Sequence, residues 1–144
     1  MVLGCIILGC ASGGNKESPK IANEIKYSDY DARISNVFRY MEESDFSISM
    51  DQCFKLVILQ TNLCNSCDKE KLEVILDSLS STREKVYFIL ADESEDIRKQ
   101  IEVDRPDSDI FIDRNHLLQD HNLNFLRNLQ IDICDNKISK WKFL

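Results

Sequence analysis

The sequence predicts an α/β domain, a mixed sheet flanked by helices, and three observations lead there. Two runs, "CFKLVILQT" (Cys53 to Thr61) and "KVYFILA" (Lys85 to Ala91), are apolar and β-rich on both alternating sets of positions, as strands covered on two sides are. Between them Leu72, Ile75, Leu76 and Leu79 recur at helical spacing. After them "LQIDIC" alternates, Asp135 and Asn136 supply a turn, and Lys137 to Phe143 returns, which is the pattern of a hairpin. A strand–helix–strand unit implies a parallel pair joined by a right-handed crossover, and the hairpin adds antiparallel strands.

The remaining elements follow in order. Ile34, Val37, Phe38 and Met41 fall at i, i+3, i+4 and i+7, so the spacing predicts an amphipathic helix over Ser28 to Glu43. Asp29 and Asp31 suit its positive N-terminal end. Phe46 to Met50 alternates and reads either as a strand or as an extended connection. The helix carrying Leu72 to Leu79 is predicted from about Ser66 to Ser80. Ile97 and Ile101 mark a short helix that ends before Pro106. "DIFID", Asp109 to Asp113, is a short strand, and His116 to Phe125 is partly helical. Trp141 and Phe143, at strand spacing, are expected in the core.

Length and composition bound the function. At 144 residues the chain is one domain by size. A formal net charge of −7 argues against a nucleic-acid partner, which would require a basic face. Six cysteines are too few and too unevenly spaced for a disulfide scaffold. The acidic "DESED", Asp92 to Asp96, is expected to be a solvated loop and helix start.

Only Cys64 and Cys67 are spaced for shared chemistry. Three readings are open: a redox pair, structural thiols, or half of a metal site. Cys64 falls just after the first buried strand and Cys67 in the first turn of the next helix. Unpaired N–H groups and the positive end of the dipole at that position favour thiolates, and the spacing lets Cys67 resolve a mixed disulfide formed on Cys64. A structural zinc needs four ligands. The only histidines, His116 and His121, are five positions apart, off any common helix face, and are expected at the surface or its boundary. No metal is expected.

The opening "MVLGCIILGCASGGNKESPK" turns from apolar to small and polar residues at Cys10. "IILGC" resembles the end of a bacterial lipoprotein signal, which implies that Cys10 carries lipid as the mature N-terminus; the alternative is a frayed end with incidental cysteines. The division is then 1–25, leader and flexible tether, and 26–144, the domain. No other stretch approaches the roughly 18 apolar residues of a membrane span.

"FKLVILQTNLCNSCDKEKLEVIL", followed by "KVYFILA" and "LQIDICDNKISKW", resembles the thioredoxin-like fold, and within it the membrane-anchored, extracytoplasmic thiol-disulfide oxidoreductases of bacterial lipoproteins. The resemblance implies that Cys64 is the exposed nucleophile and Cys67 the resolving thiol. It also implies protein thiols or disulfides as partners, no cofactor, and attachment through a lipid to the periplasmic side of a membrane. Three departures stand out. Arg127 or Asn128 occupies the substrate-loop position where the family has a cis-proline, Leu63 replaces a tryptophan, and the usual C-terminal helix is lacking after the hairpin. A cis peptide without proline costs about 2.5–4 kcal/mol, so a trans loop is expected. If the first strand lies antiparallel to "LQIDIC", Cys53 and Cys134 meet at the end of the sheet opposite Cys64, close enough for a structural disulfide. The competing function is a non-catalytic thioredoxin-fold lipoprotein acting as a binding or assembly module.

Overall fold

The structure is a computed structural model that describes residues 29–44, 48–60 and 65–144, with the backbone alone at 65–68. Five strands are formed: β1 (Phe54–Leu59), β2 (Lys85–Leu90), β3 (Asp109–Ile112), β4 (Leu129–Cys134) and β5 (Lys137–Phe143). Four helices accompany them: α1 (Val37–Glu43), α2 (Asn65–Leu79), α3 (Glu95–Asp104) and α4 (Leu117–Asp120), and residues 29–34 are also helical. The sheet order is β3-β2-β1-β4-β5, with β1, β2 and β3 parallel and β4 and β5 antiparallel to their neighbours. This mixed sheet flanked by helices is the architecture that the thioredoxin-like resemblance implies.

The side-chain period of two divides the core. Phe54, Leu56 and Ile58 of β1 join Ile131 and Ile133 of β4 on one face, where Ile34, Val37 and Tyr40 of the N-terminal helical segment cover them. Val57 and Leu59 join Val86, Phe88 and Leu90 on the other face, under Leu72, Ile75, Leu76 and Leu79 of α2 and Ile97 and Ile101 of α3. The helical spacing read from the sequence marks the buried stripes of α2 and α3, whereas in the N-terminal segment it finds the buried Ile34 and Val37 and the half-buried Phe38 and Met41 but not the buried Tyr40.

The structure corrects several expectations. The N-terminal helix is interrupted at Ser35 and Asn36. The Asn36 amide donates to the carbonyl of Arg33, three residues back, at 3.1 Å, while the Asn36 side-chain NH2 donates to the carbonyl of His121 at 3.0 Å and the Ser35 hydroxyl to that of Ala32 at 2.6 Å. Such side chains offer the backbone alternatives to the helical ladder. Only part of Phe46 to Met50 is described, and residues 48–50 form no strand. The helical part of His116 to Phe125 is a single turn, α4, set by the Asp113 carboxylate, which accepts the amides of Leu117 and Leu118 at 3.0 Å each. His121 is buried rather than at the surface, with 8% exposure. Its Nε2 lies 2.9 Å from a carboxylate oxygen of Glu43 and its ring meets that of Tyr40 edge-on, because Asn36 draws this segment onto the N-terminal helix.

The β4–β5 turn places Asp135 and Asn136 at φ 50° and 60°. Both central residues at positive φ make the mirror-image hairpin turn that matches strand twist, and Asp and Asn tolerate it best after glycine. Trp141 and Phe143 are half-buried rather than fully in the core, since β5 is an edge strand. They form an aromatic cluster with Tyr30 and Phe125, and the Trp141 indole N–H donates to the Asp31 carboxylate at 2.6 Å.

Candidate functional site

Central strand β1 delivers the chain to the candidate site. Pairing with β2 runs to Leu59↔Leu90 and pairing with β4 to Ile58↔Leu129, and the Ala91 amide closes onto the Leu59 carbonyl at 3.0 Å. Five residues after Leu59 comes Cys64, which lies outside the described residues. The 15-residue helix α2 then begins at Asn65, so the backbone of Cys67 is in its first turn. The sulfur geometry of this pair is thus outside what the structure describes, whereas the strand and helix on either side of it are fixed.

The Arg127–Asn128 loop is at this same end of the sheet, because β4 starts where β1 ends. The Asn128 side-chain oxygen accepts the Gln60 amide at 2.8 Å, and the Asn128 carbonyl accepts the Leu144 amide at 2.9 Å. A residue whose position invited comparison with a proline therefore bridges the last residue of the β1 segment to the chain beyond β5. The spacing gave no signal of that. The Arg127 guanidinium carbon sits 5.0 Å from the centre of the Phe143 ring, a cation–π contact. Leu126, next to it, is 84% exposed. No cis peptide bond occurs among the described residues, so the loop is trans.

At the opposite end of the sheet Cys53 and Cys134 are disulfide-bonded, with Cα atoms 4.2 Å apart. The register explains the meeting: Phe54 pairs with Ile133, and one further step in each direction brings Cys53 to Cys134. Cys53 is exposed and Cys134 half-buried.

Cys10 lies outside the described residues. Among the described residues no helix is long and apolar enough to cross a membrane. No group of three or more His, Cys, Asp or Glu side chains is placed to hold a metal ion there. The acidic stretch before α3 puts Ser94 at the N-cap position, without a side-chain cap hydrogen bond, and Glu95 and Asp96 in the first turn, where carboxylates complement the dipole.

No protein-family model matches the chain, and no curated protein matches it. Among solved structures, the crystal structure of StoA from Bacillus subtilis is similar at 17% identity, over 72% of this chain and 82% of that one, with a TM-score of 0.45.

Proposed function

We propose that the protein exchanges thiols and disulfides with extracytoplasmic protein substrates through Cys64 and Cys67. One observation carries the proposal: the C-x-x-C sequence straddles the start of a 15-residue helix entered from the carboxyl end of the sheet's central strand. Amides and dipole at such an end stabilise thiolates. In the direction that reduces a partner disulfide, the Cys64 thiolate attacks one of its sulfurs and the other partner sulfur leaves as thiolate. The Cys67 thiolate then attacks Cys64 of the mixed disulfide, releasing the second partner thiol and leaving Cys64–Cys67 oxidised. The reverse sequence oxidises a partner dithiol.

Replacing Cys67 with Ser is expected to trap mixed disulfides on Cys64, and replacing Cys64 to trap none on Cys67. Equal trapping by both variants would overturn the roles. A non-catalytic module is the second reading, favoured by Asn128, whose side chain is committed to Gln60 where the family places a proline. The reduction potential separates the two, because structural disulfides lie below about −300 mV and exchanging ones above.

The location belongs to the same proposal. "IILGC" and the small, polar residues after it support a lipid on Cys10 and a domain held at the periplasmic side of a bacterial membrane. The Cys53–Cys134 bond supports an oxidising compartment. Intact-mass analysis of the native product is expected to show lipid on Cys10 as the first residue; an unmodified Met1 start would end the idea.

A further inference from the structure

We infer that Gln60 is a positioning residue for the C-x-x-C pair, its Nε2 donating a hydrogen bond to the thiolate that the pair carries when reduced. Three side-chain atoms are covered from solvent without a hydrogen-bond partner among the described residues: Gln60 Nε2, Arg105 Nε and Ser108 Oγ. The last two lie together just before β3, and Arg105 Nε is 3.5 Å from a carboxylate oxygen of Asp107. Because β1, β2 and β3 run the same way, that is the end of the sheet opposite the one that leads to Cys64. Gln60 alone of the three is at the candidate site. It directly follows β1, and only residues 61–64 lie between it and Asn65, where α2 begins.

A covered N–H donor without an acceptor costs free energy, and native proteins keep few of them. The root of this one is fixed, since the Gln60 backbone amide donates to Asn128 Oδ1 at 2.8 Å. Among the side chains from Thr61 to Cys67, only those of Cys64 and Cys67 ionise, and a charged acceptor takes the stronger hydrogen bond. The helix end entered just beyond Gln60 favours that ionisation. A disulfide sulfur is a weak acceptor, a thiolate a strong one. The donor is therefore better satisfied in the reduced pair, and stabilising that state moves the pair toward accepting electrons from partner dithiols. The inference rests on the redox reading proposed above and adds a direction to it.

Gln60→Met keeps the length of the side chain and removes the donor. The full chain, wild type and variant, is equilibrated with glutathione: the Cys64–Cys67 bond gives way to two thiols, two electrons pass to the pair, and two glutathione thiols become one glutathione disulfide. Alkylation at Cys64 and Cys67 is read by peptide mass, so the Cys53–Cys134 bond is not counted. The equilibrium constant for reduction is expected to fall about tenfold in Gln60→Met, about 30 mV toward more reducing potentials. The pH profile of thiol alkylation is expected to move up by about one pH unit. The urea midpoint of the oxidised variant is expected to be no lower than that of the wild type, because an unpaired donor has gone. Gln60→Glu keeps the shape and adds a negative charge, so it is expected to shift potential and profile further in the same direction. An unchanged potential and profile in both variants would overturn the inference and leave the amide to a neutral acceptor such as Thr61 or Asn62. A shift of opposite sign in Gln60→Met would overturn it too, since the amide would then present its oxygen to sulfur. If the wild-type pair does not exchange with glutathione and Cys67→Ser traps no partner, the redox reading fails and takes this inference with it. If the wild type does both and Gln60→Met matches its potential, this inference alone fails.

Discussion

Asn128 shows what a single side chain does to the candidate site. Its side-chain oxygen satisfies the Gln60 amide at the point where β1 has run out of sheet partners on the β4 side. Removing an acceptor from a partly buried amide costs about 1–3 kcal/mol. Asn128→Ala is therefore expected to lower the unfolding free energy measured by urea titration by an amount in that range, and Asn128→Asp, which keeps an acceptor, to restore most of it. Equal losses in the two variants would mean that the bond to Gln60 contributes little. Arg127 is the neighbouring cation. On the proposed chemistry, Arg127→Ala should raise the pKa of the Cys64 thiol, read from the pH dependence of its alkylation by iodoacetamide. An unchanged profile would confine Arg127 to packing on Phe143. Both residues were legible by position, since the loop before the hairpin is where the resemblance looks for a proline. The hydrogen bond that defines Asn128 was not, because it joins residues 68 positions apart.

At the level of elements, the periodic segments and the short strand β3 were legible, and the break in the N-terminal helix and the single turn of α4 were not. β1, β2, β4, β5 and α2 carry their burial in their own residue spacing, so the sequence alone located them within a residue or two, and Ile97 and Ile101 marked α3 without fixing its start. The break before α1 and the single turn of α4 depend instead on distant polar partners, Asn36 on His121 and Asp113 on the amides that follow it. The β1–β4 pairing is where sequence order and covalent chemistry meet. Cys53 and Cys134 are 81 positions apart, so their bond removes much of the unfolded chain's freedom and is worth about 2–4 kcal/mol. A Cys53→Ala, Cys134→Ala variant is expected to lose that much stability in denaturant titration, with the wild type unfolding like the variant once it is fully reduced. A loss below about 1 kcal/mol would mean that the reduced, unfolded chain is already restricted by residual structure.

At the scale of the molecule, buried Tyr40 and half-buried Lys55, on opposite layers, make stability sensitive to alkali among the described residues. Lys55 projects from β1 between Glu84 and Asp132, at 2.9 and 3.0 Å. Burial alone would lower its pKa, but the hydrogen bonds to Glu84 and Asp132, with the charges of both, outweigh burial and raise it above the ordinary 10.5. Tyr40, under the N-terminal segment, is held far above its ordinary 10.0 by burial first and by the charge of Asp113 second. Both shifts have the same sign. In the unfolded chain these groups release protons near pH 10.0 and 10.5, whereas in the fold they retain them to higher pH. Above about pH 10 the unfolded state therefore binds fewer protons than the native state, and stability falls as pH rises. The contribution of both groups is fully present below pH 10. Unfolding free energy measured by urea titration is expected to decline from about pH 10 upward. Tyr40→Phe removes one of the two titrations and should flatten the decline, whatever the hydroxyl contributes at neutral pH. Lys55→Met should flatten it independently, because the two groups sit on opposite faces of the sheet. A decline of unchanged steepness in the Tyr40→Phe, Lys55→Met double variant would place the alkaline sensitivity in other groups.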